Sequence, residues 1–409
     1  MGSTSRENGL RTWIEVDRKA IKHNFDIFKS LIPKKTRFMA VVKSNAYGHG
    51  LVDFSKEMER LGADFLGVDS MTEARALRRE RIRLPILVLG YTMPALFSEA
   101  AENDISLTVS SFETLNALRK APAPQQKGKP LKIHIKVDTG MHRQGFMLND
   151  LQQVIMNSQF SIFPPASKRL LPAPRLRQAG RRAGDFQVEG LYTHFAAAKN
   201  PAFPKDTEDQ LKEFRIWISA FKKVSAGWPL RPIYHAAATA GTMLFPASHL
   251  GMVRVGIGLY GLWPAPEVMQ YLKGRITLRP ALVWKSIITE VKKLPAGSRV
   301  GYDLTETLSC ASTVAVVPVG YWHGYPRALS SIGRVLVCGK ECKILGRVSM
   351  DMLIVDVSAV VHPKVGDEVV VMGGKDELPV SAAGLARALD ASWYEIVTRL
   401  NPLIKRTYL

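Results

Sequence analysis

Between residues 37 and 256 the chain alternates short, apolar, β-branched runs with longer stretches whose apolar positions recur every three or four residues. The runs are Phe38–Val42, Phe65–Val68, Pro85–Leu89, Ser106–Val109, Leu131–Val137, Val188–Tyr192, Pro232–His235 and Met252–Val255. Between them lie stretches such as the amphipathic Leu51–Leu61 and the segment Thr72–Arg83, rich in helix formers. Strands alternating with helices imply parallel βαβ units. Eight such units over roughly 250 residues suggest a closed (β/α)8 barrel of the TIM type. An open doubly wound sheet is the competing arrangement. No Gly-x-Gly-x-x-Gly follows the first run, which weakens a dinucleotide-binding version of it.

After about residue 278 the helical spacers nearly vanish. Ala281–Val291, Ser312–Val319, Gly333–Val337, Cys342–Leu345, Met352–Val357 and Glu368–Met372 read as strands punctuated by Gly and Pro. The predicted organisation is therefore α/β. Residues 1–11 form a flexible N-terminal segment, 12–278 the barrel, and 279–409 a mostly-β domain with one late helix near Ser381–Leu389.

Composition changes this picture little. Lys+Arg number 56 against 36 Asp+Glu, a net charge of +20. No stripe of Lys/Arg interleaved with aromatics is present, so the excess reads as a generally basic surface and not as a nucleic-acid site. Part of it is local. Residues 160–184 carry Lys168, Arg169, Arg175, Arg177, Arg181 and Arg182 with four prolines and no acid, the composition of a solvated loop insertion. Three cysteines (Cys310, Cys338, Cys342) make no disulfide framework, and Cys338 with Cys342 lacks the further ligands of a zinc site. Small buried thiols and no metal are expected. Met1–Leu10 has no apolar signal core and no run is long enough to span a membrane, so the expected location is cytoplasmic.

In a barrel of this type, chemistry sits at the C-terminal ends of the strands. Lys43 follows the first run, with Asn45, Tyr47 and His49 beyond it. Asp138 and Arg143 follow the fifth, His194 the sixth, His235 and Thr239 the seventh, and Gly256 the eighth. A lysine at a strand end is either a solvated loop residue or an amine made nucleophilic by partial burial, as in Schiff-base lysines. Gly256-Ile-Gly258 is either a relaxed turn or a backbone cup for a phosphate, with the Thr239 hydroxyl beside it. Barrel phosphate sites form after strands seven and eight. A lysine and a phosphate cup at one mouth fit a phosphorylated aldehyde, pyridoxal phosphate.

These residues also match a family. Val42-Lys-Ser-Asn-Ala-Tyr-Gly-His-Gly50 closely resembles the pyridoxal-phosphate attachment motif of alanine racemases. The resemblance continues in order through Lys136–Arg143, Glu189–Phe195, Arg254–Gly261, Val300–Tyr302, Gly320-Tyr321 with Gly324–Arg327, Gly346–Asp351 and Trp393–Glu395. It implies a barrel followed by a β domain, a homodimer with shared sites, and interconversion of L- and D-alanine to supply peptidoglycan. By the same resemblance Lys43 carries the cofactor and is one base, and Tyr302 of the other subunit is the second. Arg254 bonds the pyridine nitrogen, with His194 orienting it. Tyr47, Thr239, Gly256, Ile257 and Tyr394 hold the phosphate. Arg143 and the backbone at Met350 meet the substrate carboxylate, and Tyr321 shapes the entrance. Lys136 matches a lysine that is often carbamylated. Racemisation needs a base on each face of one carbon, which suits two different side chains flanking the ring. An arginine at the ring nitrogen donates a hydrogen bond but hardly a proton.

The chain departs from the family pattern at a few places. Ala238-Thr239 stands where Asn-Ser is usual, and Gly301 where a serine often precedes the tyrosine. Trp322-His323 replaces a common Ala-Asp pair. None of these removes a proposed catalytic group. A serine or broad-range racemase is the nearest competitor, since one hydroxyl is a small difference for a pocket. A barrel-type decarboxylase typically places a carboxylate where Arg254 stands. A single-barrel pyridoxal-phosphate carrier would lack Tyr302 and the whole of 279–409.

Overall fold

The structure is a computed structural model that describes residues 9–120, 130–159, 186–228 and 230–409. The basic stretch 160–184 lies outside these residues. Eight parallel strands close a barrel: Arg37–Val41, Phe65–Val68, Ile86–Val88, Ile105–Val109, Leu131–Lys136, Phe186–Tyr192, Ile233–His235 and Met252–Val255. Each coincides with one of the eight runs read from the sequence. The eighth strand pairs with the first, Met39 opposite Arg254 and Ala40 opposite Val255. Closure therefore sets the end of the first strand beside the end of the last.

The strands sort their side chains by the two-residue period. Phe38, Ala40, Leu66, Val68, Ile86 and Val88 join the main core with the surrounding helices. The alternate residues Met39, Phe65, Leu87 and Met252 form a separate cluster that fills the barrel interior. Leu51–Leu61 is a helix as its periodicity predicts, burying Phe54 and Met58. Met71–Arg79 begins at Ser70, whose side chain accepts from the Glu73 N–H.

The C-terminal region builds a six-stranded sheet in the order Lys340–Lys343, Arg334–Val337, Glu368–Met372, Leu282–Ile287, Thr12–Val16, Lys405–Tyr408. Glu290–Leu294, Ser312–Val317 and Leu353–Asp356 form a second sheet. Three expectations change here. Thr12–Val16, counted above with the barrel, pairs antiparallel with Leu282–Ile287 and parallel with Lys405–Tyr408. It is followed by a helix (Arg18–Ser30) capped by Asp17 and so reads locally as a βα unit. Only partners about 270 and 390 residues away reveal its sheet. The late helix is Ala382–Ala388, capped by Ser381, and a second helix, Trp393–Thr398, follows it. Six residues are too few to show a helical period. Finally, only Cys342 is a buried thiol, while Cys310 and Cys338 are exposed. Cys338 and Gly339 both have positive φ, 50° and 77°, in the two-residue turn of a hairpin, which pushes them away from the core.

Candidate active site

The end of the first strand leads into an unusual turn. In Lys43–Tyr47 the residues Ser44, Asn45, Ala46 and Tyr47 all have left-handed φ, 56°, 55°, 49° and 52°. Each such residue costs about 1–2 kcal/mol when it has a Cβ, so the turn persists only because its surroundings hold it. The Glu73 carboxylate accepts from Ser44 N–H at 2.6 Å and from Asp69 N–H at 2.7 Å. The Asn45 side chain accepts from Leu51 N–H at 2.9 Å. From the β domain, Arg406 donates to Gly48 O at 3.1 Å and Tyr408 Oη to His49 O at 3.0 Å. The turn thus holds Lys43 and Tyr47 at the barrel mouth.

Both side chains line a cavity of about 540 Å³, within the range of small-molecule sites. Its charged walls are Lys43, Lys136, Arg143, Lys199 and Arg254, with Asp69 as the one carboxylate among the described lining residues. Tyr47, His194, Thr239, Gly256, Ile257 and Tyr394 also line it. Ten site residues named from the sequence, together with Asp69 and Lys199, thus line one space. Tyr302, Tyr321 and Met350 do not line it; they lie on the β domain, Tyr302 being 69% exposed.

One end of the cavity is a cup of neutral donors. Gly256 N–H donates to Thr239 Oγ1 at 3.1 Å. A Cβ on Gly256 would stand 2.8 Å from Tyr47 Oη, so only glycine lets the hydroxyl approach the backbone there. Tyr394, from the helix Trp393–Thr398, stands 6.1 Å from the Tyr47 ring, centroid to centroid. Trp393 Nε1 donates to Trp263 O at 2.8 Å and ties that helix to the barrel. Burial pushes the Tyr47 hydroxyl up to about 12, so it acts as a donor and not an anion. The hydroxyls of Tyr47, Thr239 and Tyr394 beside the backbone at Gly256 and Ile257, where the short 3-10 helix Ile257–Tyr260 begins, make a neutral polar set that fits a phosphate.

The other end is cationic. Arg254 is buried, and its guanidinium donates to Thr193 O at 2.7 Å, Ala236 O at 2.9 Å and His235 Nδ1 at 2.9 Å, with His194 Nδ1 at 3.3 Å. Burial lowers it to about 10, which still leaves it charged at neutral pH. Burial and the Arg254 charge hold His194 down near 3 and His235 well below the usual imidazole value, so both rings are neutral. The hydrogen bonds continue inward: His235 Nε2 to His134 Nδ1 at 2.8 Å, and His134 Nε2 to Glu189 Oε2 at 3.1 Å. With Arg254 donating to Nδ1 of His235, every bond in the chain points the same way, from guanidinium to carboxylate. Burial alone would raise Glu189, but the His134 and Ser106 hydrogen bonds outweigh it and hold the carboxyl below its ordinary value. Gly190 makes this packing possible, since a Cβ there would lie 2.2 Å from His134 Nδ1.

Arg143 is delivered by a loop folded around Asp138. Asp138 Oδ1 accepts from the N–H groups of Gly140, Met141 and His142 at 2.9, 2.9 and 3.0 Å, and Oδ2 from Arg143 N–H at 3.1 Å. Lys136 donates to Gln144 Oε1 at 2.9 Å. Burial and the nearby Arg143 and Arg254 charges lower its amine to about 8. Sequence reading missed His134, Glu189, Asp69, Gln144 and Lys199 as parts of the site. For the first two a signal existed: ionisable residues inside strands that are otherwise buried and apolar.

A closed parallel barrel with its reactive groups at the C-terminal mouth, and a β domain contributing one wall, defines a two-domain barrel enzyme. The family model described as alanine racemase, N-terminal domain, matches residues 16–161 and 170–264, and that of the C-terminal domain matches 281–408. The alanine racemase of Desulforamulus reducens is 36% identical over 397 residues, 97% of this chain and 98% of that protein. A solved alanine racemase structure from Clostridium difficile 630 superposes with a TM-score of 0.85 at 30% identity, covering 98% of this chain and 96% of that one. A histidine racemase from Leuconostoc mesenteroides also superposes, with a TM-score of 0.80 at 27% identity over 98% of this chain and 99% of its own. The chain belongs to the alanine racemase family.

Proposed function

We propose that the protein interconverts L-alanine and D-alanine with pyridoxal 5′-phosphate held on Lys43. The observation that carries this reading is the composition of one cavity: an amine at the end of the first strand, a neutral-donor cup beside it, and a buried arginine with no carboxylate partner. Bound there, the cofactor supplies a conjugated sink for the electron pair left when the α-C–H bond of the amino acid breaks. Tyr47, Thr239, Gly256, Ile257 and Tyr394 hold the phosphate. Arg254 donates a hydrogen bond to the ring nitrogen and keeps its own proton, and His194 helps to orient it. Arg143 and the Met350 backbone take the substrate carboxylate. Lys43 moves the α-proton on one face. Tyr302 of the partner subunit moves it on the other, and Tyr321 shapes the entrance. Exposure of Tyr302 in the single chain supports a role that only a second copy completes. Lys136 takes up carbon dioxide as a carbamate, which places an anion between Arg143 and Arg254. The same reading puts the reaction in the cytoplasm as a source of D-alanine for peptidoglycan. Among the described residues no helix is long and apolar enough to cross a membrane.

The test combines circular dichroism of L-alanine, L-serine and L-histidine over time with borohydride reduction and peptide mapping. Alanine should lose its signal fastest, with the label on Lys43, and Lys43→Ala should cut the rate by at least about 10³. Label on another lysine would overturn the cofactor assignment. Faster conversion of serine or histidine would replace alanine as the substrate.

A further inference from the structure

Asp69 follows the second barrel strand and ends in the same cavity as Lys43. Its Oδ1 accepts a hydrogen bond from Lys43 Nζ at 3.0 Å. Of five cationic side chains around the cavity, the one carboxylate among the described lining residues pairs with this lysine.

Two hydrogen bonds fix the Asp69 backbone, and a third ties the Lys43 turn to the same Glu73 side chain. Asp69 N–H donates to Glu73 Oε2 at 2.7 Å, while Glu73 Oε1 accepts from Ser44 N–H at 2.6 Å, so one side chain clamps the backbones of both partners. Asp69 O accepts from Gly90 N–H at 3.1 Å. A Cβ on Gly90 would stand 2.4 Å from Asp69 O, so the end of the third strand presses directly on it. The juxtaposition is a built feature of three adjacent strand ends, not a chance encounter of two long side chains.

We propose that Asp69 is a positioning residue for Lys43, holding the amine at the cavity wall whenever it is not covalently engaged. This rests on the reading of Lys43 as cofactor carrier and base. When Lys43 takes the α-proton, that proton moves from carbon to Nζ and the C–H electron pair stays on the substrate side. The resulting ammonium then lies beside Asp69. Returning the proton to the carbon restores the amine. In the ligand-free enzyme the same contact holds the amine back from an incoming aldehyde. Arg143 and Arg254 also face this space, but as cations they repel an ammonium at Lys43.

The pair is partly exposed, with side chains 38% and 54% accessible, which limits its strength. A pair of that kind changes a rate by about two- to fivefold. The experiment uses apo-enzyme, pyridoxal phosphate and the variants Asp69→Asn and Asp69→Ala. Attachment is followed by absorbance, then by borohydride trapping. In Asp69→Ala attachment should become faster by about that factor, with the label still on Lys43. Asp69→Asn, which keeps an acceptor oxygen, should lie between. In the loaded enzyme Asp69→Ala should lower kcat with KM nearly unchanged. In D2O it should also alter solvent deuterium incorporation in one direction of racemisation only, the one in which Lys43 delivers the proton. Attachment rates and isotope patterns equal to the parent's would overturn the proposal. A parent that is not labelled on Lys43 would instead overturn the cofactor reading beneath it.

Discussion

Lys136 shows how a single buried amine couples stability to pH. Folding lowers its proton affinity from the ordinary 10.5 to about 8, because burial and the Arg143 and Arg254 charges disfavour the ammonium. The unfolded chain therefore binds this proton more tightly. Above pH 10.5 both states are neutral and no penalty exists. As pH falls from 10.5 the penalty grows, and below about 8 it is complete, worth about 3 kcal/mol. In carbonate-free buffer Lys136→Met should be more stable than the parent at pH 7, by up to about 3 kcal/mol. The advantage should shrink steadily between pH 8 and 10. Urea unfolding at several pH values measures it, and a difference independent of pH would show that the amine is not the cause. Adding ¹³C-bicarbonate should narrow the gap and produce a carbamate carbon signal absent from the variant. The lysine itself was legible in the sequence beside Asp138 and Arg143. Its electrostatic setting was not, because Arg254 comes from a strand more than a hundred residues further on.

Among the elements, the left-handed turn Lys43–Tyr47 has no counterpart in a propensity argument. Ser, Asn, Ala and Tyr in sequence give no reason to expect four positive φ values. The hydrogen bond that Glu73 accepts from Ser44 N–H and the one that Arg406 of the C-terminal strand donates to Gly48 O decide it. Gly48 ends the turn at φ 85°, and a Cβ there would stand 2.1 Å from Val397 O. Gly62 has a similar φ of 84° with open space around it. Gly62→Ala should therefore cost only backbone strain, about 1 kcal/mol. Gly48→Ala carries that strain plus the clash, and should lower the unfolding midpoint at least twice as far while weakening cofactor attachment. Equal losses in the two variants would mean that the β domain does not press on the turn. The barrel strands behave in the opposite way. Their continuous apolar runs were enough to locate them, since both faces of each strand are buried, Phe38 and Ala40 on one side and Met39 on the other.

For the molecule as a whole, the active site is incomplete in one chain under the proposed function. Tyr302, Trp322, Met350 and Met352 of the β domain are each more than half exposed, and none of them lines the cavity. Such an apolar surface suits an interface between two copies. Lys43→Ala and Tyr302→Phe should each be nearly inactive alone. Phe removes only the hydroxyl and keeps the ring. Re-associated mixtures should recover activity, because one site of a mixed dimer then holds both native residues while the other holds both defects. Verified heterodimers as inactive as their parents would place both bases in the same chain.

The sequence by itself determined the eight barrel strands, the change to a β domain near residue 278, and the motif residues from Lys43 to Trp393–Glu395, because local periodicity and short motifs report on contacts near in the chain. Tertiary structure decided what depends on distant partners. It moved Thr12–Val16 into the C-terminal sheet, since a strand's own residues do not name the edge it joins. It aligned Arg254, His235, His134 and Glu189 into one hydrogen-bonded chain, since each comes from a different strand and only the closed barrel points them inward together. It also set Asp69 against Lys43, because parallel pairing brings the ends of neighbouring strands to one rim although a helix and a loop separate them in sequence.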